Sequence, residues 1–217
     1  MKFKWTDLLV LLLLAVPFVY LYFAYSTLPE QVPIHWGLDG RPNDWSEKNR
    51  VWLTMLFMSL IALGNYLLFR FMSKIDPKKK VGLSQSIFDK IALVVVVFIV
   101  LLNMMMLYSA NTAAIEIDRL VPVLVALVLA FIGNLMNNLK PNYFLGIRTP
   151  WTLEDESIWI KTHRLASKIW FAGGLLAALL VALLSQPLGT TIFVGMVIIM
   201  ALVPVVYSFI LFKQSKK

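Results

Sequence analysis

Two polar segments of this otherwise apolar chain carry most of the side chains that could do chemistry. The first spans residues 27–50 and places a histidine among tryptophans and acids. An imidazole beside carboxylates is a donor set for a metal ion. Aromatic rings beside acids instead suit an amphipathic peptide, because the rings make apolar contacts and the acids attract basic residues. Its prolines and glycines predict a compact, turn-rich loop rather than a helix.

The second segment spans residues 142–168 and is dense in glycine, proline, tryptophan, arginine and histidine. Pro141 and Gly146 resist regular structure and predict a loop at its start. In this loop the guanidinium of Arg148 could form a bidentate bond to one of the acids at 154–156 and so hold the loop in place. A lipid phosphate and a cytoplasmic protein are the alternative partners for this arginine.

A helix is predicted to follow, either with Thr149 as its cap and Pro150 at the first helical position, or with Thr152 as its cap. The acids at 154–156 would lie in the first turn, where the helix dipole favours negative charge. One face of this helix collects Glu156, Trp159, His163, Ala166 and Trp170. We predict that His163 is a satisfied polar residue. The sequence has no recognisable nucleophile–base pair or phosphate-binding glycine loop, so an enzymatic function has weak support.

Around these segments the composition is that of a membrane protein. Hydrophobic residues make up 59% of the chain and charged residues 15%, which is outside the range of ordinary soluble domains. Apolar runs of about twenty residues recur, and each is long enough to cross a bilayer. We predict an all-α integral membrane protein with six spans, at about 6–26, 51–72, 87–110, 119–139, 165–184 and 189–212. The absence of cysteine excludes disulfides and thiolate metal sites.

Lysine and arginine are distributed very unevenly between alternate loops. All 20 except Arg41, Lys48, Arg50 and Arg119 fall on one predicted side, whereas the 12 acids divide evenly. The positive-inside rule places that side, with both the N- and C-termini, in the cytoplasm. The net charge of +8 therefore signals orientation and attraction to anionic lipid headgroups. We predict no direct nucleic-acid binding, because that would need a soluble basic surface.

Three interpretations of the first loop remain open. A metal site is disfavoured because the only other histidine, His163, is predicted on the opposite side of the membrane. We therefore predict neither a metal nor another cofactor. The loop could be a cap packed on the helix ends, since tryptophans often sit at headgroup depth. The sharper hypothesis is a peptide-binding surface, formed by His35, Trp36, Asp39, Asp44, Trp45 and Glu47.

Few polar side chains fall within the predicted spans. No ionisable residue lies near the centre of a span, which argues against a proton-coupled transporter. Asparagines are the notable polar residues, at Asn65, Asn103, Asn134, Asn137 and Asn138. They favour interhelical hydrogen bonds, with close packing at Gly64-Asn65 and Gly133-Asn134. The alternative is a ligand cavity lined by amides.

Two stretches carry a family resemblance. The run N-Y-F-L-G-I-R-T-P-W-T-L at 142–153, followed by W-x-x-T-H-R at 159–164, resembles the signature of the SdpI family. The run P-I-H-W-G-L-D-G at 33–40 is similar to a domain of unknown function that often precedes the SdpI segment in longer members. Members of the SdpI family are bacterial membrane immunity proteins against a secreted, membrane-active killing peptide. The resemblance implies toxin resistance in a bacterial plasma membrane. Its partners would be the toxin peptide, the lipid bilayer and, for signalling, a cytoplasmic transcriptional repressor.

The chain is accordingly predicted to have two parts. Residues 1–86 hold the first two spans, the outer loop at 27–50 and a basic cytoplasmic loop at 73–86. Residues 87–217 form an SdpI-like four-span region with a cytoplasmic loop at 140–164. The partner-binding candidates of that loop are Asn142, Gly146, Arg148, Thr149, Pro150, Trp151, Trp159, His163 and Arg164.

Two further hypotheses remain open at this point. The alternative function is an integral-membrane enzyme, or a lipid- or ion-handling protein, that uses the outer loop around His35 or the inner pair Arg148 and His163. Separately, the two long loops occupy matching places in the two halves of the chain, which raises the hypothesis of an inverted repeat.

Overall fold

A computed structural model describes residues 4–37, 41–75, 84–112 and 116–216. Asp39 of the predicted peptide-binding surface and the lysines at 78–80 of the basic loop lie outside the described residues. The helices within the described ranges are α1 (Trp5–Ala24), α2 (Val51–Arg70), α3 (Met72–Ile75), α4 (Gln85–Asn111), α5 (Ile117–Met136), α6 (Pro150–Glu154), α7 (Glu156–Leu183) and α8 (Leu188–Ser215).

Six of these helices are long and apolar enough to cross a membrane, namely α1, α2, α4, α5, α7 and α8. This confirms the predicted all-α membrane architecture with six spans. Helix α7 begins at Glu156, ahead of the predicted span at 165–184, because the helix predicted through Trp159 and His163 continues into that span. The early start has a local cause, because the Asp155 carboxylate caps the helix. It accepts hydrogen bonds from the backbone N–H groups of Ser157 and Ile158 at 2.7 and 3.1 Å.

The described chain forms two compact units. Unit 1 comprises Met1–Arg70 and Asp89–Val121, and unit 2 comprises Phe71–Phe88 and Pro122–Lys217. Unit 1 therefore contains α1, α2, most of α4 and the first turn of α5. Unit 2 contains α3, the start of α4, the rest of α5, and α6 to α8.

A β-hairpin follows α1 in unit 1, and the prediction of a turn-rich loop missed it. Strand β1 (Gln31–Trp36) pairs antiparallel with β2 (Pro42–Glu47). Beyond β1 the backbone N–H of Gly37 donates to the carbonyl of Arg41 at 2.9 Å, which continues the pairing toward the turn. The hairpin is the one part of the described chain in which the all-α description does not hold.

The hairpin packs one of its faces onto the helices of unit 1. Side chains alternate between the two faces of a strand, so Val32, Ile34 and Trp36 lie on the same side. These three join an apolar cluster that includes Leu21 of α1 and Met55 of α2. Burial of this alternating face explains why the loop forms strands despite its prolines and glycines.

A charged cluster joins the N-terminal end of α1 to the C-terminal end of α2. The Arg70 guanidinium donates from Nε and Nη2 to the Asp7 carboxylate at 3.0 and 3.2 Å. The two side chains are only 10% and 15% exposed, and the Tyr66 hydroxyl donates to the same carboxylate. No sequence pattern links these residues, because the partners are far apart in the chain.

Small residues let the helices of unit 2 approach closely. A Cβ added at Gly133 would lie 2.6 Å from the Cβ of Trp170 on α7. A Cβ at Gly174 would lie 2.7 Å from the backbone of Ala126 and of Ala130 on α5. The predicted close packing at Gly133 is therefore confirmed.

The same prediction is wrong for Gly64-Asn65. Apart from its chain neighbours and the nearby backbone of its own helix, no described atom lies within 4 Å of where a Gly64 Cβ would stand. The Asn65 amide donates to the carbonyl of Ile61 in its own helix at 3.1 Å, so it makes no interhelical bond there. The pair therefore lies on an exposed part of the helix surface and not at a contact between helices.

Candidate functional site

The hairpin brings four of the six candidate residues of the first loop onto one small surface. His35 lies opposite Asp44 in the strand pairing, and its Nδ1 donates to Oδ1 of Asn43 at 2.6 Å. The Asp44 carboxylate accepts a hydrogen bond from the backbone N–H of Trp45 at 2.9 Å. His35, Asp44, Trp45 and Glu47 are exposed on this surface.

The histidine contact on the hairpin is to an amide. Among the described residues, no group of three histidine, cysteine or acidic side chains is arranged to hold a metal ion. The outer face instead presents Trp45, which is 49% exposed and stands between Asp44 and Glu47. A protruding ring flanked by carboxylates can contact an apolar surface and attract basic groups at the same time.

Trp36 differs from Trp45 because it is partly buried on the inner face of the hairpin. Nearby, the ring of Trp52 lies 6.0 Å from that of Tyr25 and 6.4 Å from that of Phe18. The inner face is therefore a cap on the helix ends of unit 1, whereas the outer face is open. The two predicted tryptophans have different structural roles.

In unit 2 the loop after α5 is organised by the buried side chain of Asn142. Its Oδ1 accepts hydrogen bonds from the backbone N–H groups of Phe144 and Leu145 at 2.8 and 2.7 Å. Its Nδ2 donates to the carbonyls of Lys140 and Leu145 at 2.9 and 3.1 Å. Because an asparagine amide has two donors and two acceptor sites, this arrangement uses the side chain fully and fixes the loop.

His163 is a fully engaged residue beneath the same loop. Its Nε2 accepts a hydrogen bond from the N–H of Ile147 at 3.0 Å, and its Nδ1 donates to the carbonyl of Trp159 at 2.9 Å. Since an N–H can only donate and a carbonyl can only accept, the ring is the tautomer protonated at Nδ1. The Trp159 ring stacks on it at 4.0 Å, and Trp159 Nε1 donates to the carbonyl of Leu139 at 2.8 Å. This confirms the prediction of a satisfied histidine.

The first of the two predicted helix starts is observed. Thr149 caps α6 with Pro150 at the first helical position, and Thr149 and Thr152 exchange hydrogen bonds in a capping box. The predicted helix is not continuous, however, because α6 ends at Glu154 and α7 starts after Asp155. The acids therefore close one helix and open the next, instead of sharing one first turn.

Trp151 attaches this short helix to α8. Its Nε1 donates to the hydroxyl of Ser208 at 2.8 Å. Its ring lies 5.3 Å from the ring of Phe209 and 5.6 Å from that of Phe212. Ser208 was missed by the sequence analysis, because nothing in its spacing marks it as a partner of the loop.

The predicted ion pair between Arg148 and the acids at 154–156 is wrong. Over residues 116–216 no such pair is formed, and the guanidinium donates instead to the backbone carbonyl of Tyr143. The carboxylate of Asp155 is already used as the cap of α7. Arg148 still ties the loop together, but through main-chain atoms, and its side chain remains exposed.

Three further exposed cations of this region lie on α7. Lys161, Arg164 and Lys168 line an open groove of about 330 Å³ together with Leu165 and Tyr207. Of the predicted partner-binding residues, only Arg148, Pro150 and Arg164 are exposed. The others are buried or half-buried, namely Asn142, Gly146, Thr149, Trp151, Trp159 and His163. Most of the sequence motif therefore builds the loop rather than presenting it to a partner.

Comparison with known proteins finds similarity in the regions of both candidate sites. Residues 138–208 match the SdpI/YfhL protein family, and residues 12–61 match DUF1648, a domain of unknown function. The chain is 27% identical over 212 residues to Immunity protein SdpI of Bacillus subtilis (strain 168). That alignment covers 97% of this chain and 96% of the relative. No solved structure matches the chain.

The two matched regions contain the two candidate sites, since the hairpin lies within 12–61 and the loop with most of α7 and α8 lies within 138–208. The six apolar helices agree with this assignment. The chain is a multi-pass protein of the cytoplasmic membrane, similar to the SdpI/YfhL family over residues 138–208 and to DUF1648 over residues 12–61.

Proposed function

We propose that this protein is a membrane immunity protein, which protects its bacterial host against a secreted, membrane-active peptide toxin. The observation that carries the proposal is the similarity to Immunity protein SdpI, which extends over nearly the whole length of both chains. Both candidate sites are therefore included in the similarity. The six apolar helices support the proposal, because they place the protein in the bilayer that such a toxin attacks.

The hairpin is the toxin-facing part in this proposal. Trp45 supplies an exposed aromatic ring, and Asp44 and Glu47 supply negative charge beside it. Aromatic residues are enriched at binding hot spots, and flanking acids would steer a basic peptide toward the ring. The hairpin's buried inner face would hold this surface in place on the helix ends.

The basic groove on α7 is the partner-binding part on the cytoplasmic side. Lys161, Arg164 and Lys168 would attract an acidic surface of a transcriptional repressor. Such attraction between exposed charges reaches about 8 Å at physiological ionic strength, so it requires direct docking. Recruitment of a repressor to the membrane would then report that toxin is present.

Deletion of the gene from its host tests the proposed function. The deletion strain should stop growing in stationary-phase medium conditioned by the parent strain, and a plasmid copy of the chain should restore growth. Growth of the deletion strain equal to that of the parent, over a full dilution series of conditioned medium, would contradict the proposal.

The proposed orientation gives a separate prediction that uses the absence of native cysteine. A cysteine replacing the exposed Asn43 should react with a membrane-impermeant thiol reagent in intact cells. Cysteines replacing the exposed Lys74 and Ser157 should react only after the membrane is permeabilised. Labelling in the reverse pattern would invert the assignment of toxin-facing and cytoplasmic surfaces.

Trp45→Ala is expected to reduce protection strongly while leaving the membrane level of the protein unchanged. An exposed aromatic that becomes buried at a hot spot contributes about 2 kcal/mol, or roughly 30-fold in affinity. The measurement is the toxin dilution that halves survival. Trp5→Ala is the matched control, because Trp5 is 83% exposed and lies on α1, away from the hairpin. Trp36→Ala should lower the stability of the protein as well as its protection, because Trp36 packs inward. Unchanged protection by Trp45→Ala would exclude this ring from toxin binding.

A further inference from the structure

Asn103 is a buried asparagine of α4 in unit 1 that makes no hydrogen bond within the described part of the chain. The residue is only 2% exposed, and its Nδ2 has no acceptor. It lies roughly 12 Å along the helix from the end of α4 at Asn111, by the rise of an α-helix. A buried amide without a partner is uncommon, because the group loses its bonds to water and gains none in return. Something in the working protein is expected to satisfy it.

Asn103 also lines a cavity of about 200 Å³ in unit 1. Its other walls include Trp36 from the hairpin, Thr54 and Met58 from α2, and Met105 and Met106 from α4. Water would be poorly held here, because a buried water molecule needs two to four polar partners and most of these walls are apolar. The cavity therefore favours an apolar group that carries a single hydrogen-bond acceptor.

We propose that this cavity binds one apolar side chain of the toxin peptide, and that Asn103 donates a hydrogen bond to the neighbouring backbone carbonyl of that peptide. The inference rests on the proposed immunity function and names the place and chemistry of toxin recognition. In a peptide, an apolar side chain and a carbonyl oxygen are held close together, and this matches an apolar cavity with one amide.

The size of the cavity supports a single side chain. An apolar protein cavity of about 150 Å³ accommodates a benzene molecule. Drug-sized ligands occupy pockets of about 300 Å³ or more, so a larger molecule would not fit. The cavity of about 200 Å³ therefore takes one leucine, phenylalanine or tryptophan side chain. Met58, Met105 and Met106 add adaptability, because the unbranched thioether side chain repacks easily around different shapes.

The position of the cavity connects it to the proposed docking surface. Trp36 and Ile34 line it, and both belong to β1, the strand that pairs with the strand bearing Trp45. A peptide held on the outside of the hairpin could thus insert one anchor residue beneath it. This continuity favours the toxin peptide over a lipid as the occupant.

Asn103→Leu tests the inference in the full-length protein. Leucine has the same number and branching of side-chain heavy atoms but no amide, so protection against parent-conditioned medium should fall about tenfold, which corresponds to the loss of one buried hydrogen bond. The thermal stability of the purified protein should be unchanged or higher, because an unpaired buried donor is removed. Asn65→Leu is the matched control, since the Asn65 amide is bonded within its own helix. It should protect like the wild type.

The outcomes separate this inference from the proposed function. If the wild-type chain fails to protect the deletion strain, the proposed function is wrong. If the wild type protects and Asn103→Leu protects equally well, the proposed function stands and the inference about Asn103 is wrong.

A second measurement identifies the occupant and does not depend on survival. Thr54→Cys places a single thiol in the cavity wall of the cysteine-free chain. Its reaction with a small apolar thiol reagent should be at least several-fold slower in the peptide fraction of parent-conditioned medium, and Asn103→Leu should abolish this protection. Protection by added phospholipid alone, or no protection by the peptide fraction, would overturn the proposal.

Discussion

Replacing Arg70 by leucine is expected to lower the free energy of unfolding by about 3 to 5 kcal/mol, because it leaves the Asp7 carboxylate buried without its cation. In the native protein two guanidinium nitrogens hold that carboxylate at 3.0 and 3.2 Å. The donors that would remain, the Tyr66 hydroxyl and the backbone N–H of Lys4, are neutral and cannot balance the charge. The measurement is unfolding of the purified full-length chain in mixed micelles, titrated with sodium dodecyl sulfate and followed by circular dichroism.

Two further variants decide whether the loss comes from the buried charge. Arg50→Leu breaks the exposed pair with Glu47, whose side chains are 69% and 54% exposed, and should change stability by less than about 1 kcal/mol. Adding Asp7→Asn to Arg70→Leu should recover part of the loss, because the unpaired charge is then removed. A loss in Arg70→Leu no larger than that in Arg50→Leu would show that the pair is solvated and does not clamp α1 to α2.

The six spans could be predicted from the sequence because the signal for a span is local. Length and apolar composition are properties of one continuous stretch, and each of the long helices has both. Helix ends depend on finer interactions. One continuous helix was predicted from the Thr149 or Thr152 cap onwards, but the chain breaks at Asp155, and α7 starts at Glu156 with Trp159 and His163 in its first turns. Inside the fold these two residues are buried against each other, so the helix includes them.

The hairpin could have been found from the alternation of Val32, Ile34 and Trp36, which is a period of two. The prediction of turns gave more weight to Pro33 and the glycines. Pro33 is tolerated because the pairing is irregular between it and His35, so the strand does not need a regular ladder at that point. Pairing across a hairpin is decided by both strands and by the helices beneath, and no single stretch reports it.

Within the second site the sequence pointed to residues of the loop but not to their partners. Arg148 was expected to bond an acid, yet its acceptor is a main-chain carbonyl, and no sequence pattern of side chains could reveal it. The bond between Trp151 and Ser208 joins positions that are distant in the chain. Likewise, Asn103 was recognised among several asparagines, but only the fold distinguishes its unpaired amide from the bonded amide of Asn65.

Gly146→Ala is expected to destabilise the protein by about 3 kcal/mol, and two independent effects add to this loss. Gly146 has a φ of 106°, and an L-residue in a left-handed conformation is disfavoured by about 1 to 2 kcal/mol. A Cβ at this position would also overlap Nε2 of His163 and lie 3.0 Å from Cδ2 of Leu139. Overpacking of this kind costs about 1 to 3 kcal/mol. The same unfolding titration measures the change.

The physical reason is that Gly146 lets the loop lie directly on His163, whose Nε2 accepts from the next residue, Ile147. Gly195→Ala is the matched control on α8, where no described atom other than its chain neighbours and the nearby backbone of α8 lies within 4 Å of the added Cβ. It should be neutral or stabilise by up to about 1 kcal/mol, the difference in helix propensity. His163→Ala combined with Gly146→Ala should lose less than the sum of the two single changes, because the clash disappears with the ring. Strict additivity would mean that the glycine is required for its backbone conformation alone, and that its contact with the histidine contributes nothing.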